Sequence, residues 1–163
     1  MIIAYRRARE RMIQEQLVSR GINDPRVLRA MAKVPRHLFL ESELWDQAYK
    51  DHPLPIGADQ TISQPYMVAL MAQALELKGA ERVLEVGTGS GYAAAVLSEL
   101  CAEIFTVEAV ARACLESPHP LEQLGLQERV GSRGRRDPWL GGACSLRRSY
   151  HFCCCTLYSP PAS

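Results

Sequence analysis

A glycine-rich stretch flanked by two acidic residues has the clearest potential for ligand chemistry in this sequence. Glu85 is followed by Val86 and then by glycines at positions 87, 89 and 91, in the spacing GxGxG. Glu108 ends the next apolar run, about 20 residues beyond this loop. Glycines at the carboxyl end of a strand allow a tight turn and a close approach of the backbone to a ligand. The pattern therefore predicts a binding loop.

The two carboxylates narrow the class of ligand. A GxGxxG loop in a dinucleotide-binding fold holds a pyrophosphate at a helix N-terminus. Here the spacing is GxGxG, and Glu85 would repel a diphosphate but attract a cationic amino-acid group. Glu108 is placed to accept hydrogen bonds from both hydroxyls of a ribose. The pattern favours S-adenosylmethionine over NAD, and the predicted cofactor-binding residues are Glu85, Gly87, Thr88, Gly89, Ser90, Gly91 and Glu108.

The loop needs a strand before it and a helix after it, and the sequence predicts both. RVLEVG is a short buried strand, GYAAAVLSELC is helical and EIFTVE is a second short strand. Strand, helix and strand at this spacing are typical of a βαβ unit in a parallel sheet. We therefore predict an α/β fold of the Rossmann-like kind.

The residues before this unit are predicted to be mainly helical. Residues 4–33 have apolar residues at helical spacing, with Gly21 as a stop and Asn23, Asp24 and Pro25 as the start of a second helix. An ordered loop region is predicted for residues 36–60. Ser63 is predicted to be the N-cap of a third helix, with Pro65 in its first turn.

Composition sets limits on function. The chain has 163 residues and a net charge of +1, which gives no general attraction to nucleic acids or to anionic membranes. Its apolar stretches are too short to span a membrane, and its start lacks the apolar block of a signal peptide, so a cytoplasmic protein is expected. None of the six cysteines has CxxC spacing, and we predict no metal site.

Three motifs resemble one protein family. DPRVLRAMAKVPRHLF, PLPIGADQTISQPYMVALM and RVLEVGTGSGYAAAVL are similar to segments of the protein-L-isoaspartate O-methyltransferases, and the resemblance covers residues 4–108. QTISQP followed at this distance by EVGTGSGY is highly specific. The resemblance implies an S-adenosylmethionine-dependent methyltransferase fold. It also implies methyl transfer to the α-carboxylate of isoaspartyl residues in damaged proteins, as protein repair.

The resemblance also implies roles for single residues. Ser63 corresponds to the active-site serine, and we interpret its hydroxyl as a positioning group because no His and Asp partners are evident for a catalytic triad. The substrate-binding residues it implies are Gln60, Thr61, Ile62 and Gln64. Isoaspartyl proteins and peptides would be the substrates, and the enzyme is expected to act as a monomer. A non-catalytic S-adenosylmethionine-binding remnant, a small-molecule methyltransferase and a nicotinamide-dependent dehydrogenase are the alternatives.

The resemblance fails after Glu108, apart from the segment LEQLGL, and the composition changes there. The tail GSRGRRDPWLGGACSLRRSYHFCCCTLYSPPAS has no periodicity that predicts the next parallel strands. With suitably chosen synonymous codons, shifted reading frames of residues 137–148 and of AVARACLESPHP can be read as family-like segments, so we hypothesise small insertions or deletions near codons 109, 121 and 130. The predicted organisation is one methyltransferase domain over residues 1–163, with an incomplete C-terminal half. Residues 1–77 form a helical and substrate-loop segment, residues 78–130 a cofactor-binding core and residues 131–163 an aberrant tail.

Overall fold

The computed structural model describes residues 2–107 and 150–152, and its N-terminal part is helical. Helix α1 (Ile2–Met12) continues through a π-helical turn (Ile13–Leu17) and a 3-10 turn (Val18–Arg20). Gly21 ends this run with a left-handed φ of 91°. Helix α2 (Pro25–Lys33) begins at Asp24, whose carboxylate accepts a hydrogen bond from the Arg26 amide at 2.7 Å. Both the predicted stop and the predicted start are confirmed.

The segment that was expected to be a loop contains turns and a β-hairpin. Two short 3-10 turns (Arg36–Phe39 and Ser42–Leu44) precede strand β1 (Leu54–Gly57), which pairs antiparallel with strand β2 (Gln60–Ile62). The loop prediction for residues 36–60 is therefore wrong for β1 and for Gln60, where β2 begins. Leu54, Ile56 and Ile62 are buried, while Pro55 and Thr61 are exposed, so the hairpin presents one apolar face to the core.

Helix α3 (Pro65–Ala74) follows the hairpin, but its first cap differs from the prediction. Gln64, not Ser63, is the N-cap residue, with extended backbone angles of φ −57° and ψ 148°. The cause is Pro65, because a proline disfavours helical backbone angles at the residue before it. The helix therefore starts directly after Gln64, and Ser63 lies outside it.

A parallel sheet forms the second half of the described structure. Strand β3 (Arg82–Val86) pairs in parallel with β4 (Glu103–Val107), and the short helix α4 (Tyr92–Leu97) connects them. A third strand, β5 (Tyr150–Phe152), pairs in parallel with the other edge of β4. The βαβ unit is confirmed, but the expectation that the tail supplies no further parallel strand is wrong. Aromatic residues favour strands, and they dominate the YHF of β5.

Helices α1–α3 and the sheet share one apolar core. Its fully buried side chains include Leu17, Met31, Phe39, Val96 and Ile104. None of the helices within residues 2–107 is long and apolar enough to cross a lipid bilayer.

Two polar side chains connect α2 to the elements that follow it. The Arg26 guanidinium donates to the carbonyl oxygens of Leu77 and Leu100, the latter at 2.9 Å. The Gln73 amide oxygen accepts from the backbone amides of Asn23 and Asp24 at 2.8 and 2.9 Å. These contacts fix the start of α2 against the ends of α3 and α4.

Candidate functional site

The glycine loop joins β3 to α4, and its backbone geometry explains its composition. Gly87, Gly89 and Gly91 have φ values of 82°, 50° and 80°, in the region that residues with a side chain rarely adopt. A Cβ atom at Gly89 would lie 3.1 Å from the Cδ1 atom of Ile56 on β1, whereas none of the described atoms lies within 4 Å of a Cβ built at Gly87 or Gly91. Gly89 therefore also permits close packing of the hairpin against the loop.

A buried chain of hydrogen bonds lies beneath this loop. The Thr106 hydroxyl on β4 donates to the Glu85 carboxylate at 2.5 Å, and the Thr88 hydroxyl is 2.5 Å from the Thr106 hydroxyl. A hydroxyl has a single proton to donate, and an ionised carboxylate can accept hydrogen bonds but cannot donate them. Thr106 therefore gives its proton to Glu85, and Thr88 must donate to Thr106. Each of the three side chains is less than 10 % exposed.

The arrangement follows from the register of the sheet. Glu85 and Thr106 are direct partners in the parallel pairing of β3 and β4, so their side chains lie on the same face. Thr88 is the first residue after Gly87, where the chain turns back over this face. The result is a carboxylate held in one orientation at the carboxyl end of β3.

A half-open cleft of about 490 Å³ lies beside this carboxylate. Glu85, Val86 and Gly87 line it from the end of β3, and Ser63 lines it from the junction between the hairpin and α3. The remaining walls are apolar side chains of α3 and α4, namely Val68, Met71, Ala72, Ala74, Leu75, Ala93 and Leu97. Small-molecule sites are commonly apolar clefts of this size with a few polar groups. The structure thus brings Ser63 together with Glu85 and the start of the glycine loop.

The other predicted substrate residues differ in accessibility. Thr61 is exposed, Gln60 and Gln64 are half-buried, and Ile62 is 4 % exposed. Ile62 is therefore restricted to contacts through its backbone. The Ser63 side chain is exposed and has no hydrogen-bond partner within residues 2–107 and 150–152, so its hydroxyl is accessible from the cleft.

Among the predicted cofactor residues, Thr88 and Ser90 use their hydroxyls within the protein. The Thr88 hydroxyl belongs to the buried chain described above. The Ser90 Oγ atom is the acceptor of a long contact, 3.4 Å, from the Tyr92 amide at the start of α4. Glu108, the predicted ribose ligand, lies outside the described residues. The described residues contain no cluster of His, Cys, Asp and Glu that could hold a metal ion.

A buried cation and a buried phenol lie behind the loop. Arg36 is fully buried, its Nε atom donates to the Ala48 carbonyl at 2.7 Å, and its guanidinium lies 4.9 Å from the ring centroid of Tyr92. Burial lowers the pKa of Arg36, and burial raises the pKa of Tyr92 to about 12. Phe39 contacts the same ring edge-on at 5.5 Å between centroids. Tyr92 directly follows Gly91, so this packing fixes the point where the loop enters α4.

The sequence analysis missed two residues that organise the site, Thr106 and Asp51. Thr106 could have been found from the strand register, because EIFTV aligned with RVLEV places it opposite Glu85. Asp51 accepts a hydrogen bond from the Tyr66 amide in the first turn of α3. It precedes that helix by a whole hairpin, and no local pattern signals such a contact.

Comparison with known proteins gives a consistent result. The family model for protein-L-isoaspartate(D-aspartate) O-methyltransferase matches residues 7–135. The chain is 57% identical over 124 residues to protein-L-isoaspartate O-methyltransferase 1 of Syntrophobacter fumaroxidans, covering 76% of this chain and 58% of the relative. It is 56% identical over 119 residues to the enzyme of Geobacter metallireducens, covering 73% and 55%. The chain spans about half the length of the curated relatives it matches.

Solved structures agree with the sequence relatives. A protein-L-isoaspartate O-methyltransferase superposes with a TM-score of 0.63 at 30% identity, over 73% of this chain and 39% of that chain. A Plasmodium falciparum structure, named as such a methyltransferase in complex with S-adenosyl-L-homocysteine, superposes with a TM-score of 0.58 at 28% identity, over 68% and 54%. The predicted α/β methyltransferase fold is confirmed.

Proposed function

Because the chain belongs to the protein-L-isoaspartate(D-aspartate) O-methyltransferase family, we propose that it acts in methyl transfer from S-adenosylmethionine to the α-carboxylate of isoaspartyl residues. The observation that carries the proposal is the shared cleft, which is lined by Ser63 of the QTISQP motif and by Glu85 and Gly87 at the glycine loop. One motif would serve the substrate and the other the cofactor, and a transfer reaction needs both in one cavity.

The residues at the cleft suit S-adenosylmethionine. Glu85 supplies a buried carboxylate for the cationic amino group of the cofactor, with its orientation fixed by Thr106. The backbone from Gly87 to Gly91 would surround the amino-acid part, and Glu108 would accept from the ribose hydroxyls. When bound, the cofactor supplies a methyl group that is activated on a sulfonium centre.

The chemistry makes modest demands on the other side chains. A substrate carboxylate has an ordinary pKa near 4, so it is ionised at neutral pH and needs no strong general base. Alignment and exclusion of water are the main requirements. Ser63 would donate its hydroxyl to the substrate carboxylate, while Gln60, Thr61, Gln64 and the backbone of Ile62 would hold the flanking peptide.

The remaining features of the proposal concern the whole molecule. We propose that residues 1–163 belong to one domain. Within residues 2–107, Arg26 and Gln73 support this by connecting the N-terminal helices to the elements that hold the loop. Isoaspartyl proteins are the proposed substrates. We also propose that the protein acts as a monomer in the cytoplasm.

The test is methyl transfer from labelled S-adenosylmethionine to a peptide with one isoaspartyl residue, compared with the same peptide with a normal aspartyl residue. We expect methylation of the isoaspartyl peptide alone. Ser63→Ala should lower transfer about tenfold or more, the value of one hydrogen bond to a charged group, with cofactor affinity nearly unchanged. Ser42→Ala, which removes an exposed serine hydroxyl that does not line the cleft, is the matched control.

Two results would contradict the proposal. Cofactor binding without any transfer would leave the chain as a binding protein with a methyltransferase fold. Equal transfer by Ser63→Ala and the unmodified chain would remove Ser63 from the mechanism.

A further inference from the structure

The carboxylate of Asp51 occupies an unusual place at the start of helix α3. Its Oδ1 atom accepts a hydrogen bond from the Tyr66 amide at 3.0 Å, and its Oδ2 atom lies 3.4 Å from the Gln64 side-chain amide. The amides of the first turn of a helix have no acceptor within the helix, and a side-chain oxygen usually satisfies one of them. The Gln64 side chain at the N-cap position makes no such bond. Asp51 therefore caps α3 from the segment before the hairpin.

Arg20 holds this carboxylate in position from a third segment of the chain. Its Nη1 atom forms an ion pair with Asp51 Oδ2, and its guanidinium carbon lies 3.4 Å from the ring centroid of Tyr66. One cation thus contacts both the capping carboxylate and the residue whose amide is capped. The Asp51 side chain is 17% exposed, so the pair is partly shielded from water.

The cap determines what Ser63 can do. Ser63 lies directly before the N-cap residue Gln64, and a serine hydroxyl so close to a helix start can be engaged by a nearby backbone amide that has no other acceptor. Because Asp51 satisfies the Tyr66 amide, the Ser63 hydroxyl remains available to the cleft. The position of Ser63 also depends on the cap, since only Gln64 lies between it and Pro65.

We propose that Asp51 is a positioning residue that fixes the start of α3 and thereby holds Ser63 at the cleft, oriented toward a substrate carboxylate. Arg20 balances the charge of Asp51, so the cap does not repel that carboxylate. This inference rests on the proposed function, because it assigns Ser63 to substrate binding. It predicts that a loss of the Asp51 cap weakens substrate binding while the cofactor, which Glu85 and the glycine loop would hold, is bound as before.

The experiment measures the affinity of an isoaspartyl peptide by calorimetry in the presence of S-adenosyl-L-homocysteine, and the affinity of S-adenosyl-L-homocysteine alone. Asp51→Ala should weaken the peptide about fivefold or more, equivalent to about 1 kcal/mol, and leave S-adenosyl-L-homocysteine within twofold. Asp51→Asn keeps an acceptor for the Tyr66 amide but places an NH2 group against the donors of Arg20 and Gln64, so it should weaken the peptide less than Asp51→Ala does.

The matched control is Asp24→Ala, which removes the same kind of cap from α2, away from the cleft. If general destabilisation were the cause, Asp24→Ala would weaken the peptide as much as Asp51→Ala does, and the inference would be overturned. Equal peptide affinity in Asp51→Ala and the unmodified chain would overturn it as well.

Two further outcomes are covered. If Asp51→Ala does not fold, Asp51→Glu replaces it, because glutamate keeps the charge opposite Arg20 but displaces the carboxylate by one methylene. Asp51→Glu should weaken peptide binding. An unchanged peptide affinity in this variant would refute the inference. If the unmodified chain does not prefer the isoaspartyl peptide over its aspartyl counterpart, the proposed function fails, and this inference fails with it.

Discussion

The buried hydroxyl of Thr106 allows a sharp test of the reasoning about the glycine loop. Thr106→Val keeps the shape of the side chain and removes its hydroxyl, so the hydrogen bonds to Glu85 and Thr88 are both lost. A hydrogen bond to a charged group contributes about 1.5–3 kcal/mol and a neutral one about 1 kcal/mol. Valine recovers part of this through its strand preference, which spans about 1 kcal/mol. We expect the free energy of unfolding to fall by about 2–3 kcal/mol.

Thr106→Ser is the matched control because it makes the opposite exchange. It keeps the hydroxyl and removes one buried methyl group, which costs about 1 kcal/mol. Urea denaturation followed by circular dichroism at pH 7 should therefore rank the unmodified chain first, Thr106→Ser second and Thr106→Val last. If packing and strand preference dominated, valine would be more stable than serine. That order would refute the hydrogen-bonded chain.

A double-mutant cycle with Glu85→Gln isolates the bond to the carboxylate. The neutral amide is a weaker acceptor than the carboxylate, so Thr106→Val should cost less in the Glu85→Gln background than in the unmodified chain. Equal costs in the two backgrounds would show that the Thr106 hydroxyl does not stabilise the Glu85 carboxylate.

Two further predictions concern the loop and its support. Gly89→Ala should lower the free energy of unfolding by about 1–2 kcal/mol, because alanine is strained at the left-handed φ and its Cβ would contact Ile56 Cδ1. The loss should be smaller in an Ile56→Val background, because valine lacks the Cδ1 atom. Equal losses in the two backgrounds would contradict the steric contribution. Burial holds the pKa of Tyr92 at about 12, so the folded chain keeps a proton that the unfolded chain loses above pH 10. The free energy of unfolding should therefore fall by up to about 1.4 kcal/mol per pH unit from pH 10 to pH 12, and it should fall less steeply in Tyr92→Phe, measured by denaturation at each pH. Identical slopes in the two proteins would show that the phenol is accessible to water.

Local patterns predicted the elements whose causes are local. The stop at Gly21, the cap at Asp24 and the strand, loop and helix around the GxGxG motif each depend on residues within one or two turns of one another. The βαβ unit follows from the same kind of information, because alternation of apolar runs and a glycine turn fixes its order. The cleft was predictable to the extent that both motifs were identified.

Contacts between distant segments account for what the sequence did not predict. The N-cap was assigned to Ser63 because serine is a good cap, but Pro65 moves the start of the helix and Asp51 supplies the acceptor from the other side of the hairpin. The two strands of the hairpin are short, and Ala58 in its turn has a positive φ value, which alanine rarely adopts. Such features depend on tertiary packing, which periodicity does not report.

The contacts of Arg26 have a consequence for the order in which the chain folds during synthesis. Its guanidinium bonds to the carbonyl of Leu100, which is separated from it by 74 residues. At bacterial and eukaryotic elongation rates, this interval takes roughly 4 to 15 s. The N-terminal helices are therefore synthesised first, but this contact with the rest of the fold forms late. Their apolar faces stay exposed until the glycine loop and α4 have left the ribosome. A chaperone that binds nascent chains would find its longest opportunity in this segment.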